Sequence, residues 1–262
     1  MEKKAKAVGI RKPTVFLLVA FVLLCFALLA FVFSPNIRHY YLTHIKFNAG
    51  AGITEKLKDS ELFADFESGN TICFLGDSIT EGTVTGGIPW YQPVLPYIKG
   101  EASNFSHTRW MVKDLIDRES SIPVSDIYVV AIGINDILLP YDERTSSTAS
   151  EYVKRLERLA RIIKDKSPDA KIYFVTPWPF YNWGSLCDER SVQFHDAIIE
   201  WCNNTDYICI DSQPIITTIM NLEGRKKYMC DTLHPNSTNG VELYCYAVLQ
   251  AEHDRKTLTA QN

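Results

Sequence analysis

The sequence lacks the features of a nucleic-acid-binding protein. Its 262 residues carry a net charge of -4, with no long basic run and no motif of interleaved aromatic and basic residues. DNA and RNA therefore have no electrostatic attraction to the chain as a whole, and no nucleic-acid partner is expected. Internal repeats and low-complexity tracts are also missing. The 46% hydrophobic content predicts a globular protein with a packed core.

The cysteines and histidines lack the spacing of a metal site. There is no pair of CxxC units, and His107 and His195 have no partners at ligand spacing, so we interpret both as structural and predict neither metal nor organic cofactor. Cys25 lies in the long apolar run near the amino terminus, and six more cysteines follow. In an oxidising compartment these six allow fifteen pairings, among which the sequence does not choose. Cys73 lies in an apolar strand, where a buried free thiol is expected.

The longest uncharged run lies near the amino terminus. Residues 14–33 contain no charged side chain, which is enough helix to cross the hydrocarbon core of a membrane. Five basic residues precede the run, whereas only Arg38 and Lys46 follow it closely, so the amino terminus is predicted to be cytoplasmic. We expect a single-pass anchor in the cell membrane with the remaining chain extracytoplasmic. A cleaved signal peptide is the competing interpretation.

The predicted organisation has five parts. They are a cytoplasmic segment (1–13), a transmembrane anchor (14–34), a stalk or linker (35–70), a catalytic domain (71–255) and a carboxyl-terminal tail (256–262). Within the domain, short apolar segments typical of strands occur at residues 71–75, 126–133, 171–177 and 206–211. Helices are predicted between them, at residues 148–168 with an end at Pro168, at about 188–203 and at about 237–253. This alternation predicts an α/β fold with a parallel sheet covered on both faces.

Three polar motifs fall at the ends of strands or before the last helix. They are GDSIT (76–80), GIND (133–136) and DTLHPN (231–236). Parallel sheets of this type bind ligands at the carboxyl ends of their strands. We therefore expect the three motifs to meet at one edge of the sheet. A serine at a strand-to-loop corner is also a common turn residue, so its function depends on that meeting.

The residues of these motifs match the parts of a nucleophilic serine site. Ser78 is the candidate nucleophile, His234 the base that takes its proton, and Asp231 the acid that orients the imidazole. The Asn135 amide and the Ser78 main-chain N–H are candidate donors to the oxyanion that forms on the substrate.

GDSIT, GIND and DTLHP resemble the first, third and fifth blocks of the SGNH (GDSL-type) esterases and acyltransferases. The resemblance covers about residues 71–253 and implies a three-layer α/β/α flavodoxin-like sandwich. It implies catalytic Ser78, Asp231 and His234, with Asn135 in the oxyanion hole. It argues against the α/β-hydrolase fold, whose nucleophile lies in G-x-S-x-G, because Thr80 occupies the fifth position here.

The second block departs from the family pattern. Family members have a glycine there whose main-chain N–H completes the oxyanion hole, but in EASNFSHTRWMV no glycine follows Asn104. Ser106 is the nearest match by position and is the predicted donor. A Cβ at this position restricts the backbone and crowds the acyl group.

Aromatic residues are predicted to contact the substrate. Trp178, Tyr181 and Trp183 follow the predicted strand at residues 171–177, and Trp90 follows the first motif. They form either a platform for sugar rings or a lid packed on the core.

The predicted function is removal of a short O-acyl group, in particular acetyl, from a small molecule or cell-envelope glycan. The alternatives are an O-acyltransferase, a lipid esterase or lysophospholipase, and an inactive binding module; the acyl group and the oligomeric state stay open.

Overall fold

The structure is a computed structural model that describes residues 55–138 and 148–259. The predicted anchor (14–34), the segment before it and most of the predicted stalk lie outside the described residues. Among the residues that are described, no helix combines the length and apolar character needed to cross a membrane.

The centre of the domain is a parallel sheet of five strands, in the order β2-β1-β3-β4-β5. The strands are β1 (Ile72–Gly76), β2 (Ala102–Ser106), β3 (Ile127–Ala131), β4 (Lys171–Val175) and β5 (Ile208–Ile210). Every residue of β1 and β3 is buried, because helices cover both faces of the sheet centre. The order is that of flavodoxin-like sheets, so the predicted α/β class with a parallel sheet is confirmed.

Helices lie around the sheet. The α-helices are α1 (Glu55–Lys58), α2 (Glu61–Glu67), α3 (Ser78–Glu81), α4 (Val112–Asp117), α5 (Ile134–Leu138), α6 (Ala149–Lys166), α7 (Ser185–Asn203), α8 (Gln213–Glu223) and α9 (Asn239–Thr259). Three short 3-10 helices connect other elements, at Gln92–Tyr97, Glu119–Ser121 and Arg225–Lys227. The longer helices form two groups: α4, α6 and α7 contact each other in turn, and α9 contacts α2 and α8.

Helix α6 shows how directly the sequence sets an element. A capping box between Thr148 and Glu151 begins the helix, and it ends at Lys166, before Pro168. The apolar residues at helical spacing are its buried face, as predicted: Tyr152, Leu156, Leu159 and Ile163. The Tyr152 hydroxyl donates to the Ile132 carbonyl oxygen at 3.0 Å, which joins this buried face to the chain directly after β3.

The end of the predicted stalk packs against the domain. Helix α2 buries Leu62, Phe63 and Phe66. The Glu61 main-chain N–H donates to Glu252 Oε2 in α9 at 2.8 Å. Residues 55–67 are therefore part of the packed fold, since their apolar side chains cover α9. The domain boundaries drawn from the sequence otherwise stay a prediction.

The cysteines of the described chain carry free thiols. Cys73 is buried in β1, as expected, and this burial raises the pKa of its thiol to about 11. A thiol with so high a pKa is protonated and unreactive at neutral pH, so Cys73 acts as a small core residue.

Candidate active site

Ser78 is the first residue of α3, at the carboxyl end of β1. Asp77 caps the helix: its Oδ1 accepts a hydrogen bond from the Ile79 main-chain N–H at 3.0 Å. Gly76 allows the tight approach of this turn to β3, since a Cβ there would lie 2.7 Å from the Ala131 carbonyl oxygen. The GDS sequence thus fixes the serine at the end of the strand, with a side chain that is only 5% exposed.

Ser78 is hydrogen-bonded to the loop that precedes α9. Its Oγ lies 3.0 Å from His234 Nε2, although the two residues are 156 positions apart. On the other side of the ring, His234 Nδ1 lies 2.8 Å from Asp231 Oδ2. An Nδ1–H that donates to the carboxylate leaves Nε2 as the acceptor of the serine hydroxyl. The structure therefore brings the three predicted residues together in one hydrogen-bonded chain.

Asp231 is held in the ionised form by its own loop. Its Oδ1 accepts the main-chain N–H groups of Leu233 at 2.7 Å and His234 at 2.6 Å. Partial burial raises the pKa of Asp231, but the amide bonds and the His234 ring outweigh it, so the pKa lies below its usual value. A charged carboxylate at neutral pH keeps the imidazole in one tautomer.

Asn135 lies in α5, directly after β3. Its side chain is buried, and Nδ2 donates to the Trp110 carbonyl oxygen at 2.9 Å. An amide carries two N–H groups, so this bond fixes the orientation of the group that carries the second donor. Arg190 of α7 holds helix α5 in place, because its guanidinium donates to the carbonyl oxygens of Asp136 at 2.7 Å and Ile137 at 2.9 Å.

Two buried carboxyl groups adjoin these residues. Asp77 precedes the serine and Asp136 follows Asn135, and neither is accessible to solvent. Burial raises the pKa of each to about 7, and the charge of Asp136 adds to the effect on Asp77. Near neutral pH each therefore carries only part of a full negative charge.

Ser106, the predicted main-chain donor, is the last residue of β2. Ser106 lies in the β1–β2 ladder opposite Gly76, and its Oγ bonds to the Asn104 side chain. Within the described residues, no hydrogen bond joins it to Ser78 or Asn135, so its role as an oxyanion donor stays a prediction. Arg109 is the residue of this loop with a left-handed backbone, at φ 66°, a conformation that favours glycine. No feature of the sequence indicates this conformation, because arginine has no preference for that region.

The aromatic residues divide into a buried group and one exposed member. Trp90 and Trp178 are each 1% exposed and pack with ring centroids 5.6 Å apart. Tyr181 is 8% exposed, and the Arg225 guanidinium covers its ring at 3.5 Å. The burial of these three rings matches the second alternative, an aromatic group packed on the core, and their contact with substrate stays a prediction.

Trp183 is the predicted aromatic residue that remains exposed. It is 42% exposed, and its Nε1 donates to Thr232 Oγ1 at 3.2 Å. The Tyr181 main-chain N–H also bonds to the Thr232 carbonyl oxygen, at 2.9 Å. The aromatic loop is thus attached to the loop that carries Asp231 and His234, and Trp183 lies at the edge of the site.

The chain matches the GDSL-like Lipase/Acylhydrolase family over residues 74–238, which is more than half of its length. This range contains all three motifs of the site. A comparison with curated proteins finds no match.

Solved structures share the fold at low sequence identity. A protein described as a GDSL-like lipase, from Parabacteroides merdae, is 18% identical with a TM-score of 0.61; the match covers 71% of this chain and 97% of that one. An α/β hydrolase enzyme from the metagenome of Lake Arreo is 20% identical with a TM-score of 0.60, over 71% and 96%. An acetylxylan esterase from Geobacillus stearothermophilus is 21% identical with a TM-score of 0.59, over 71% and 95%.

Proposed function

Because this chain belongs to the GDSL-like lipase/acylhydrolase family, we propose that Ser78, His234 and Asp231 are its catalytic triad and that it removes short acyl groups from carbohydrate. Membership of the family confirms the sequence resemblance and the predicted enzyme class, a serine ester hydrolase or acyltransferase of this type. The residue roles, the acyl group and the acceptor are our proposal.

The observation that carries the proposal is the chain of two hydrogen bonds from Ser78 Oγ to the carboxylate of Asp231. Ser78 Oγ attacks the ester carbonyl carbon while His234 Nε2 takes the hydroxyl proton. Asp231 stabilises the imidazolium, which then gives its proton to the departing alcohol. A water molecule, deprotonated by the same histidine, cleaves the acyl-enzyme and releases the acid.

The tetrahedral intermediate needs donors for its negative oxygen. The second N–H of Asn135 is the side-chain donor in this proposal, and the main-chain N–H of Ser78 is another. Loss of one such donor typically lowers the rate about a hundred- to a thousand-fold. The bond from Asn135 to the Trp110 carbonyl supports this role, because a donor fixed before the reaction needs no reorganisation.

The proposed substrate is an acetylated or similarly short acylated glycan. Exposed Trp183 beside the His234 loop supports it, because an indole face packs against the apolar face of a sugar ring. The acetylxylan esterase with the same fold acts on a substrate of this class, and we extend that class to this chain as part of the proposal.

Replacement of Trp183 with alanine tests the substrate class. We expect kcat/KM on an acetylated xylo-oligosaccharide to fall about two- to tenfold, because one aromatic contact contributes roughly 0.5–1.5 kcal/mol. The loss on 4-nitrophenyl acetate, which has no sugar to contact, should be much smaller. Leu186→Ala is the matched control, since Leu186 is equally exposed at 45%.

The same assay contains the outcomes against the proposal. An unchanged kcat/KM of Trp183→Ala on the acetylated xylo-oligosaccharide would show that Trp183 does not bind the sugar. Rates that increase steadily from acetyl to long acyl esters would favour a lipid esterase instead. Acylated sugar products that form only with added glycan acceptor would identify acyl transfer as the reaction.

We also propose that residues 14–34 anchor the enzyme in the cell membrane with the catalytic domain outside the cytoplasm. The support is the uncharged run with five basic residues before it. Protease added to intact cells should digest the domain but spare a cytosolic marker, and the protein should remain with membranes after a high-salt wash. Full-length protein in the soluble cytosol would contradict the anchor.

A further inference from the structure

Glu81 forms an unusually dense set of hydrogen bonds close to the serine. It lies three residues after Ser78, in α3, and its Oε2 accepts the main-chain N–H of Thr108 at 2.6 Å and the Thr108 hydroxyl at 2.7 Å. Its Oε1 lies 2.9 Å from His107 Nδ1, and the Thr83 hydroxyl also bonds to Oε2. Most of these donors come from the loop after β2, so one carboxylate attaches that loop to the serine helix.

The other end of this loop contacts the Asn135 amide. The Trp110 carbonyl oxygen accepts from Asn135 Nδ2 at 2.9 Å, and the Trp110 N–H bonds back to the His107 carbonyl at 3.1 Å. Residues 107–110 therefore form a compact turn between Glu81 and Asn135. Arg109 occupies the middle of this turn, and its main-chain N–H has no hydrogen-bond partner within residues 55–138 and 148–259.

The backbone of this turn requires support. A non-glycine residue in the left-handed region costs about 1–2 kcal/mol, and such a conformation persists where the surroundings impose it. Hydrogen bonds to an ionised carboxylate are roughly twice as strong as neutral ones. Partial burial raises the pKa of Glu81, but the bonds from Thr83, Thr108 and His107 outweigh it, so the pKa lies below its usual value and the group is charged at neutral pH.

We propose that Glu81 is a positioning residue for the oxyanion site: it holds the turn 107–110 so that Asn135 is oriented and the Arg109 main-chain N–H is available as a further donor. The inference rests on the proposed function, because it needs an oxyanion to stabilise. In this chain the hydrogen bonds from residues 107 and 108 to the Glu81 carboxylate hold Arg109 in its left-handed backbone conformation, which a glycine would adopt without strain.

The test is Glu81→Gln, which keeps the shape but replaces one acceptor oxygen with an NH₂ group that faces other donors. We expect kcat on 4-nitrophenyl acetate to fall about 10- to 100-fold, as for a small misplacement of catalytic groups. KM should change less than about threefold, because the oxyanion exists only in the transition state. Glu157→Gln is the matched control, since Glu157 is an exposed carboxylate paired with Arg161 on α6.

Two readouts separate positioning from a merely structural role. First, kcat is expressed per active site, titrated with a fluorophosphonate, so that partial unfolding does not count as slow turnover. Second, Glu81→Gln is combined with Asn135→Ala. If both residues act through the oxyanion, the fold-decrease in kcat of the double variant is clearly smaller than the product of the fold-decreases of the two single variants.

A kcat per active site within twofold of the wild type, or losses that simply multiply, would overturn the inference. If Glu81→Gln fails to fold, Thr108→Val tests the same contact with an expected kcat loss of about threefold, the order of one hydrogen bond, and an unchanged value would overturn the inference. Activity that survives in Ser78→Ala would instead refute the proposed function, so the two failures are distinguishable.

Discussion

Ser78→Ala should lower kcat on 4-nitrophenyl acetate by about ten-thousand- to a million-fold, since removal of a serine nucleophile leaves no group to form the acyl-enzyme. The fold should be intact, because within residues 55–138 and 148–259 the Ser78 hydroxyl bonds to one side chain, that of His234. The measurement is steady-state turnover at matched protein concentration, with thermal unfolding as the check on the fold.

The control for this variant is Ser212→Ala. Ser212 is also fully buried, but its hydroxyl bonds to no other side chain in the described part of the structure. It should keep the wild-type rate. A Ser78→Ala enzyme that retained a tenth or more of the wild-type rate would show that this serine is not the nucleophile.

His234→Ala should lower kcat nearly as much as Ser78→Ala, because an unactivated serine hydroxyl is a poor nucleophile. Residues that act as a unit are not additive, so Ser78→Ala/His234→Ala should be no slower than either single variant. The measurement is kcat for all three proteins, together with their rates of reaction with a fluorophosphonate.

His195→Ala is a matched control for the histidine variant. His195 Nε2 lies 2.8 Å from Asp211 Oδ1, the same separation as in the His234–Asp231 pair. No serine hydroxyl bonds to its ring in the described residues, so its loss should leave turnover nearly unchanged. Equal losses for His195→Ala and His234→Ala would mean that the histidine effect is structural.

The arrangement of the proposed triad could be predicted from sequence because each part depends on short-range geometry. Gly76 and Asp77 form a tight turn that places Ser78 at the end of β1. Three positions separate Asp231 from His234, so one loop carries both side chains. The alternation of strands and helices then determines that these loops meet at one edge of the sheet.

The turn that we propose as the other half of the oxyanion site could not be predicted, because it depends on contacts between distant segments. Strand β2 is an edge strand with polar, partly exposed residues, so it lacks the apolar pattern of the central strands. Arg109 adopts its backbone conformation only where the surrounding turn is held, and Glu81 is 26 positions away from its partner His107. Spacing in the sequence carries no information about such a contact.

The two alternatives for the aromatic residues could not be separated from sequence for a related reason. A run of tryptophan and tyrosine residues is equally compatible with a sugar platform and with a core, and only packing distinguishes the two. The core contains Trp178 because Tyr244 of α9 approaches it, with ring centroids 4.9 Å apart. Trp183 lies further along the same loop and stays exposed, and its indole N–H reaches the Thr232 hydroxyl.

The central claim is that Ser78 is an activated nucleophile, and covalent labelling measures this most directly. After reaction with a fluorophosphonate, mass spectrometry of the intact protein and of its peptides should show one adduct per chain, on Ser78. The adduct should be absent in Ser78→Ala and form far more slowly in His234→Ala, since only a serine paired with a base reacts. A wild-type protein that stayed unlabelled, or that carried the adduct on a different residue, would contradict the account.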